Sequence, residues 1–417
     1  MDKIIRRYIK VYYYRALFCF VTTEFNSGVS ESENAASAAK DALYNAHSRQ
    51  ADLSEIDFVT VFISPEYEYQ TAVETIRSET NNATLIGSSS SGEFTSDESI
   101  SKGIAVSTVK SDDMEFSVGI GTGVSDDPEQ AVAEATEKFP DDFKSEYTVG
   151  LNFHDGLAGR GDELTLHAYS EYPMPYVGGA ASDEYQLEST VVFANDTVKT
   201  DAIAIGVIGN NSGFGIGVSH GHKKLSDGHR VTEASGSIVK TVDNRPTYEV
   251  WKDAVRDHAD QNFGIDVDTI EPGTYEFARL LTIYSLGIET GDNKYKVRPG
   301  ALTESVDDGS LRFATNIPEG TELFVMTSTK DDQRQAQEDA VASAVDNLDG
   351  SPAGGFNFSC TCQADILEED FNDGIKSAGK QLGKQLVGAQ MYGEIALEKG
   401  DMRGYHNATS SVLVIPE

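Results

Sequence analysis

Three glutamates follow a glycine at the same interval: Glu93 after Gly87 in GSSSSGEF, Glu184 after Gly178 in VGGAASDE, and Glu394 after Gly388 in VGAQMYGEI. Such a pattern offers a carboxylate beside an open backbone. A phosphate-binding loop needs G-x-x-x-x-G-K-[ST], and Glu93 stands in place of the lysine, where it repels phosphate. A nucleophile elbow needs G-x-S-x-G, and Ser91 stands where the second glycine belongs. The serine run is missing from the other two copies, so small residues and the terminal Glu are what the copies share. Two readings are open. One is a tight turn with a capping or solvated Glu. The other is a pocket with a carboxylate at its rim, where small residues let a ligand or another backbone come close.

Other residues add to this chemistry. Tyr392, Gly393 and Glu394 together offer an aromatic face, a close approach and an acceptor for an ammonium group. His154 and Asp155, in HDGLAGRGDE, follow a strand, and α/β sheets bind ligands beyond the carboxyl ends of their strands; a surface loop is the alternative. Arg298, in NKYKVRPG, presents a planar fork suited to a carboxylate, although so acidic a chain also offers it ordinary salt bridges. His406 and Asn407 lie in GYHNATS. The candidate ligand contacts are Glu93, His154, Asp155, Gly178, Glu184, Arg298, Cys360, Tyr392, Gly393, Glu394, His406 and Asn407. A competing enzyme reading makes Cys360 a hydrolase nucleophile with His154 or His406 as base, but no acid/base constellation is local to either. The Cys360–Thr361–Cys362 pair has no second cysteine or histidine pair for zinc, and His220, His222 and His229 lack i, i+4 spacing. No cofactor or metal is expected.

The glutamate segments recur with their surroundings. Each follows an apolar strand, a polar loop and a helical stretch. The strands are DFVTVFIS, TVGLNFHD and GGFNFSCT, and Phe62 precedes Gly87 by the same interval as Phe153 precedes Gly178. Runs with β character come after each segment: SKGIAVSTV and MEFSVGIG, then STVVFA, DAIAIGVIG and FGIGVSHG, then SSVLVI. The Gly-rich FGIGVSHG lacks the helix that follows a dinucleotide loop and reads as a strand. SDDPEQAVAEATEKF reads as a helix with an Asp cap and Pro in its first turn, and DDQRQAQEDAVASAVDNL as another. The expected fold class is α/β (α+β): mixed β-sheets covered by helices, built from repeated strand–helix–strand units with added antiparallel strands. A strand, a DN turn and a new helix in VTEASGSIVKTVDNRPTYEVWKDAV set a boundary near 241–250.

The 417 residues carry 68 acidic against 33 basic side chains, a formal charge of −35. That charge repels nucleic acid. Because the acids are spread along the chain, a salt-rich cytoplasm of the halophilic kind is expected, where screening relieves self-repulsion. The three cysteines, Cys19, Cys360 and Cys362, fit a reducing interior. The basic start, MDKIIRRYIKVYYYRALFCF, is interrupted by Arg15, lacks a cleavage site, and is read as an extension over 1–19; deletion of residues 1–15 is expected to leave stability unchanged. No stretch approaches the roughly 18 apolar residues of a membrane span.

VGGAASDE followed by TVVFANDTVKTDAIAIGVIG, and GHKKLSDGHRVTEASGSIVKTVDNRP, resemble the N-terminal region of the FIST family. NKYKVRPG, NIPEGTELFVM, GGFNFSC, GAQMYGEI and YHNATSSVLVI resemble its C-terminal region, in order, over residues 20 to 415. The resemblance implies a FIST N-terminal domain at 20–244 holding two repeat units and a FIST C-terminal domain at 245–417. It also implies a cytoplasmic sensory protein that binds a small ligand, amino acids among the classes, and signals through a separate protein such as a sensor kinase or chemotaxis component. After the FSC segment the family carries a Gly-Arg-type pair. Cys362 and Gln363 stand there instead, which puts any contact through that arginine in question.

Overall fold

The computed structural model describes residues 23–47, 51–140, 143–291, 294–300, 308–397 and 404–417. Cys19 and the expected extension over 1–19 lie outside the described residues.

The chain builds one α/β unit three times. Unit 1 runs β1 (Glu24–Ser30), α1 (Ala35–Ala46), β2 (Phe58–Ile63), α2 (Tyr69–Glu79), β3 (Thr84–Ser89), a hairpin β4 (Glu93–Thr95) and β5 (Ser99–Ile100), then β6 (Ile104–Lys110). Unit 2 runs β7 (Glu115–Thr122), α3 (Pro128–Thr136), β8 (Tyr147–His154), α4 (Gly161–Glu171), β9 (Tyr176–Ala180), hairpin β10 (Val192–Ala194) and β11 (Thr197–Lys199), then β12 (Ala202–Asn210). Unit 3 opens with β13 (Gly215–Ser219) and is then interrupted. Its inserted segment holds β14 (Lys223–Ser235), β15 (Ile238–Val242), β16 (Arg245–Pro246), α5 (Thr247–Phe263), α6 (Tyr275–Ile283), β17 (Leu286–Gly291), β18 (Lys294–Arg298), β19 (Leu311–Arg312) and β20 (Glu322–Thr327). The unit resumes with α7 (Lys330–Asn347), β21 (Pro352–Cys360), α8 (Thr361–Leu367), α9 (Phe371–Leu382), β22 (Leu386–Met391), hairpin β23 (Gly393–Leu397) and β24 (Tyr405–His406), and β25 (Ser410–Pro416).

Local chemistry explains the elements. The run FVTVFI of β2 is buried throughout, as a central strand covered on both faces requires. Asn34 caps α1 by accepting from Ser37 N, and Asp127 caps α3 by accepting from Gln130 N, with Pro128 in the first turn. Thr329 and Asp332 close a capping box on α7. The first helix of each unit lies directly on glycines of its first strand. A Cβ on Gly28, Gly121 or Gly217 would meet the carbonyl oxygen of Ala42, Ala131 or Ala340 at 2.4, 1.8 or 2.1 Å. FGIGV is therefore a first strand whose covering helix, α7, comes only after the insertion.

Each unit forms a mixed sheet, and each sheet ends in a hairpin from another unit. The orders are β1-β6-β2-β3-β10-β11, β7-β12-β8-β9-β23-β24 and β13-β25-β21-β22-β4-β5. Strands β2/β3, β8/β9 and β21/β22 are the parallel pairs. Phe62, Phe153 and Phe358 occupy equivalent places in β2, β8 and β21 and pack edge to face, with centroids 5.6, 6.0 and 5.4 Å apart. They join the three sheets in one core. The inserted segment makes a fourth sheet, β16-β15-β14-β20-β17-β18, with its own core around Trp251, Phe277 and Tyr284. The Asp243–Asn244 turn between β15 and β16 has φ of 51° and 60°, a hairpin conformation that Asp and Asn tolerate. The 244/245 division falls inside this sheet.

Candidate ligand site

The glutamate segments meet where the three parallel pairs end. Backbone bonds link them in a ring: Ser91 N to Gln390 O (3.2 Å), Ser182 N to Ser89 O (3.3 Å) and Tyr392 N to Ala180 O (3.0 Å). Each chain then crosses to the neighbouring sheet. Glu93 pairs with Ala389, Glu394 with Gly179 and Val192 with Ser88. Glu93 and Glu394 are thus equivalent, and their counterpart in unit 2 is Val192. Residues 184–191 are interposed there, so equal Gly-to-Glu spacing does not make Glu184 the third member. Glu184 sits in the added loop at φ 54°, and its N–H donates to Ser91 Oγ at 2.8 Å. Burial raises the pKa of its carboxyl, and Glu66 adds to the shift.

The residue two beyond each core phenylalanine faces the crossing strand: Ser64, Asp155 and Cys360. Ser64 Oγ lies 2.9 Å from both oxygens of Glu93, and Ser90 Oγ lies 2.5 Å from Oε1. Glu93 is fully buried; burial pushes its pKa well up, and the two serines partly offset this. Asp155 accepts from Thr190 Oγ1 (2.6 Å), Leu157 N (2.8 Å) and Asp201 N (2.8 Å) and organises its loop. Glu394 differs. Its Oε2 accepts from Thr409 N (3.1 Å) and Thr409 Oγ1 (2.8 Å), but its Oε1, also buried, has no hydrogen-bond partner among the described residues. The Cys360 thiol lies within interaction range of this carboxyl, but a thiol is a weak donor and does not match the hydroxyl that Ser64 gives Glu93. Burial, then the neighbouring Cys360, raises the Glu394 pKa well above the carboxylate range.

Further groups surround this half-satisfied carboxyl. The Tyr405 ring is clamped by glycines: a Cβ on Gly393 would come 2.1 Å from its hydroxyl, and one on Gly161 2.3 Å from its ring. Glu394, Asp162, Arg298 and Cys360 all lie within electrostatic reach of that hydroxyl. Arg298 is 4% exposed; its Nη1 donates to Asn407 Oδ1 (3.0 Å) and Val297 O (3.2 Å), and Nη2 lies 3.7 Å from Asp162. Its buried Nε has no partner among the described residues. His154 packs against Tyr405 at 5.7 Å, and burial lowers its pKa to about 4. His406 Nε2 lies 3.3 Å from Ala396 O, and burial lowers it to about 3.

The fold therefore gathers Glu394, Cys360, Gly393, Arg298, Asn407, His154 and His406 along the junction of units 2 and 3, and sets Glu93 and Glu184 elsewhere. Tyr392 borders the gathered set, but its hydroxyl is occupied: it donates to Asp183 Oδ1 (2.6 Å) and accepts from Tyr185 N (2.6 Å). Gly178, at φ 150°, serves close packing, because a Cβ there would meet Asn152 O at 2.1 Å. For the hydrolase reading, burial raises the Cys360 thiol well above its ordinary pKa. The His154 Nδ1 partner is Asn152, and neither His154 nor His406 hydrogen-bonds Cys360 among the described residues. Sequence reasoning missed Tyr405, Thr409, Asp183 and Ser64. Only Ser64 left a signal, by sharing its offset from the phenylalanine with Cys360.

Most of the chain that forms this assembly matches known domains. Residues 57–245 match the FIST N domain and residues 249–397 the FIST C domain, so the chain belongs to the FIST family. These domains are associated with sensory signal transduction and ligand binding. Over 213 residues, half of this chain, it is 24% identical to the uncharacterized protein MJ1623 of Methanocaldococcus jannaschii, and it spans 40% of that protein's length. No helix among the described residues is long and apolar enough to cross a membrane.

Proposed function

We propose that the protein is a cytoplasmic sensor that binds a small ligand carrying both an ammonium and a carboxylate group, as an amino acid does, at the junction of units 2 and 3. The observation that carries this is the contrast between two equivalent glutamates: Glu93 is satisfied on both oxygens, whereas Glu394 Oε1 is buried and has no hydrogen-bond partner among the described residues. A ligand ammonium at Oε1 would supply the missing donor and favour the ionised carboxylate. Arg298, whose Nε also has no partner among the described residues, would take the ligand carboxylate. Tyr405 and Asn407 would fix the orientation. The signal would pass to a separate protein, such as a sensor kinase or chemotaxis component.

A thermal-shift screen of amino acids, with amines and carboxylates lacking one group as controls, tests the reading. Titration calorimetry of a hit in buffers of different ionisation enthalpy should show proton release, because Glu394 must ionise. Glu394→Gln removes a charge-assisted bond and should weaken binding about 10- to 150-fold. Cys360→Ser gives Oε1 the donor that Glu93 has and should weaken it too. Unchanged affinity in both variants would sink the assignment, as would an amino-acid screen without a hit.

A further inference from the structure

A second binding feature lies away from that junction, in a groove of about 580 Å³ between α6 of the inserted layer and the start of α7, closed on one side by α8. This volume suits a small ligand. Ile265, Ile270, Leu280, Ile283 and Ile366 line it, and the charged side chains of its lining are Arg279, Lys330 and Glu276. Tyr275, in the same lining, is 74% exposed, the most exposed of the large apolar side chains among the described residues. The groove thus joins apolar walls to an exposed aromatic at its edge.

Charge identifies the occupant. In a chain with a formal charge of −35, Arg279 and Lys330 place two cations beside one carboxylate, Glu276, in the lining of this groove. Glu368 engages both cations. Its carboxylate lies 2.5 Å from Arg279 Nη2 and 2.9 Å from Lys330 Nζ, and Lys330 also lies 3.1 Å from Asp370. Glu368 takes this position with φ 53° and ψ −123°, a backbone conformation costly for any residue but glycine. An internal carboxylate, held at a conformational cost, thus stands where an external one would bind.

We propose that this groove binds an anionic amphiphile, a monocarboxylate with an apolar tail. The carboxylate displaces Glu368 from Arg279 and Lys330, and the tail lies along the isoleucines and Leu280. The site is also placed to report occupancy. Glu368 directly follows α8, whose Asp365 accepts from the Tyr185 hydroxyl at 2.5 Å, and the Tyr185 N–H donates to Tyr392 in the ring where the units meet. Release of Glu368 frees the end of α8 and reaches that ring through Asp365.

Titration calorimetry with octanoate and octanol tests this on the full chain. Octanoate should bind at least about 10-fold more tightly than octanol, the scale of a charge-assisted bond. Glu368→Gly relieves the left-handed backbone and removes the competing carboxylate, so it should bind octanoate several-fold more tightly than the wild type. Glu368→Gln, which keeps the backbone, should shift affinity in the same direction. Arg279→Gln with Lys330→Gln should erase the preference for octanoate over octanol. Equal binding of the two probes by wild type, no binding at about 10 mM, or Glu368 variants that bind octanoate no better would overturn the proposal. The Glu368 variants decide the matter even if the double variant fails to fold.

Discussion

Glu394→Gln should stabilise the protein far more at pH 8 than at pH 5. The wild-type carboxyl is fully buried, and its folded pKa lies well above the ordinary value of 4.5. Between those two values the folded chain keeps a proton that the unfolded chain has lost. Unfolding then releases a proton, and stability falls as pH rises through the window, by about 1.4 kcal/mol per pH unit. Below pH 4.5 both states hold the proton and the effect vanishes. Gln keeps the shape and the oxygen facing Thr409 but cannot titrate, so this slope disappears in the variant. Glu93 contributes a slope of the same sign in both proteins. The buried histidines, such as His154 with a folded pKa of about 4, act oppositely below about pH 6.5. Both contributions cancel in the comparison. Urea denaturation of each protein from pH 5 to pH 8, at one fixed molar KCl concentration, gives the difference. A wild type and variant that keep the same separation across the range would refute the reasoning, because Glu394 would then not be held protonated in the fold.

Three further outcomes are expected. Phe153→Ala removes one member of the edge-to-face triad and should cost about 3–5 kcal/mol in denaturant unfolding; a loss below about 1 kcal/mol would mean that the three sheets do not depend on this contact. Cys360 should stay unlabelled by iodoacetamide in the native protein and react only after denaturant is added, since its thiol is buried and protonated; mass spectrometry showing rapid native labelling, blocked by a small substrate, would favour a cysteine enzyme. Melting temperature should rise from dilute buffer to molar KCl, because screening shortens from about 10 Å at 0.1 M to about 3 Å at 1 M; a flat response would remove the halophilic interpretation.

The repeated unit was legible in the sequence because its causes are local. A buried parallel strand needs an unbroken apolar run, as in FVTVFI, and a helix seated on a strand needs glycine beneath it, as in SVGIG and FGIGV. The shared interval from Phe62 to Gly87 and from Phe153 to Gly178 made the first two copies visible as copies. The cap at Asp127 and the Asp243–Asn244 turn were readable for the same reason. The exchange of hairpins between units was not, since strand partners across a sheet leave no trace in spacing. That exchange made Val192 the counterpart of Glu93 and Glu394 and set Glu184 apart, although Glu184 has the matching interval. The candidate site depends on tertiary structure still more. Arg298 comes from the inserted layer, Asn407 from the hairpin after β23 and Cys360 from the end of β21, and only the return of the chain to the three-unit junction brings them near Glu394. Sequence supplied the residue types; whether a given carboxyl would be satisfied, as at Glu93, or left with a buried free oxygen, as at Glu394, depended on which side chain the neighbouring strand end carried, a serine in one place and a cysteine in the other.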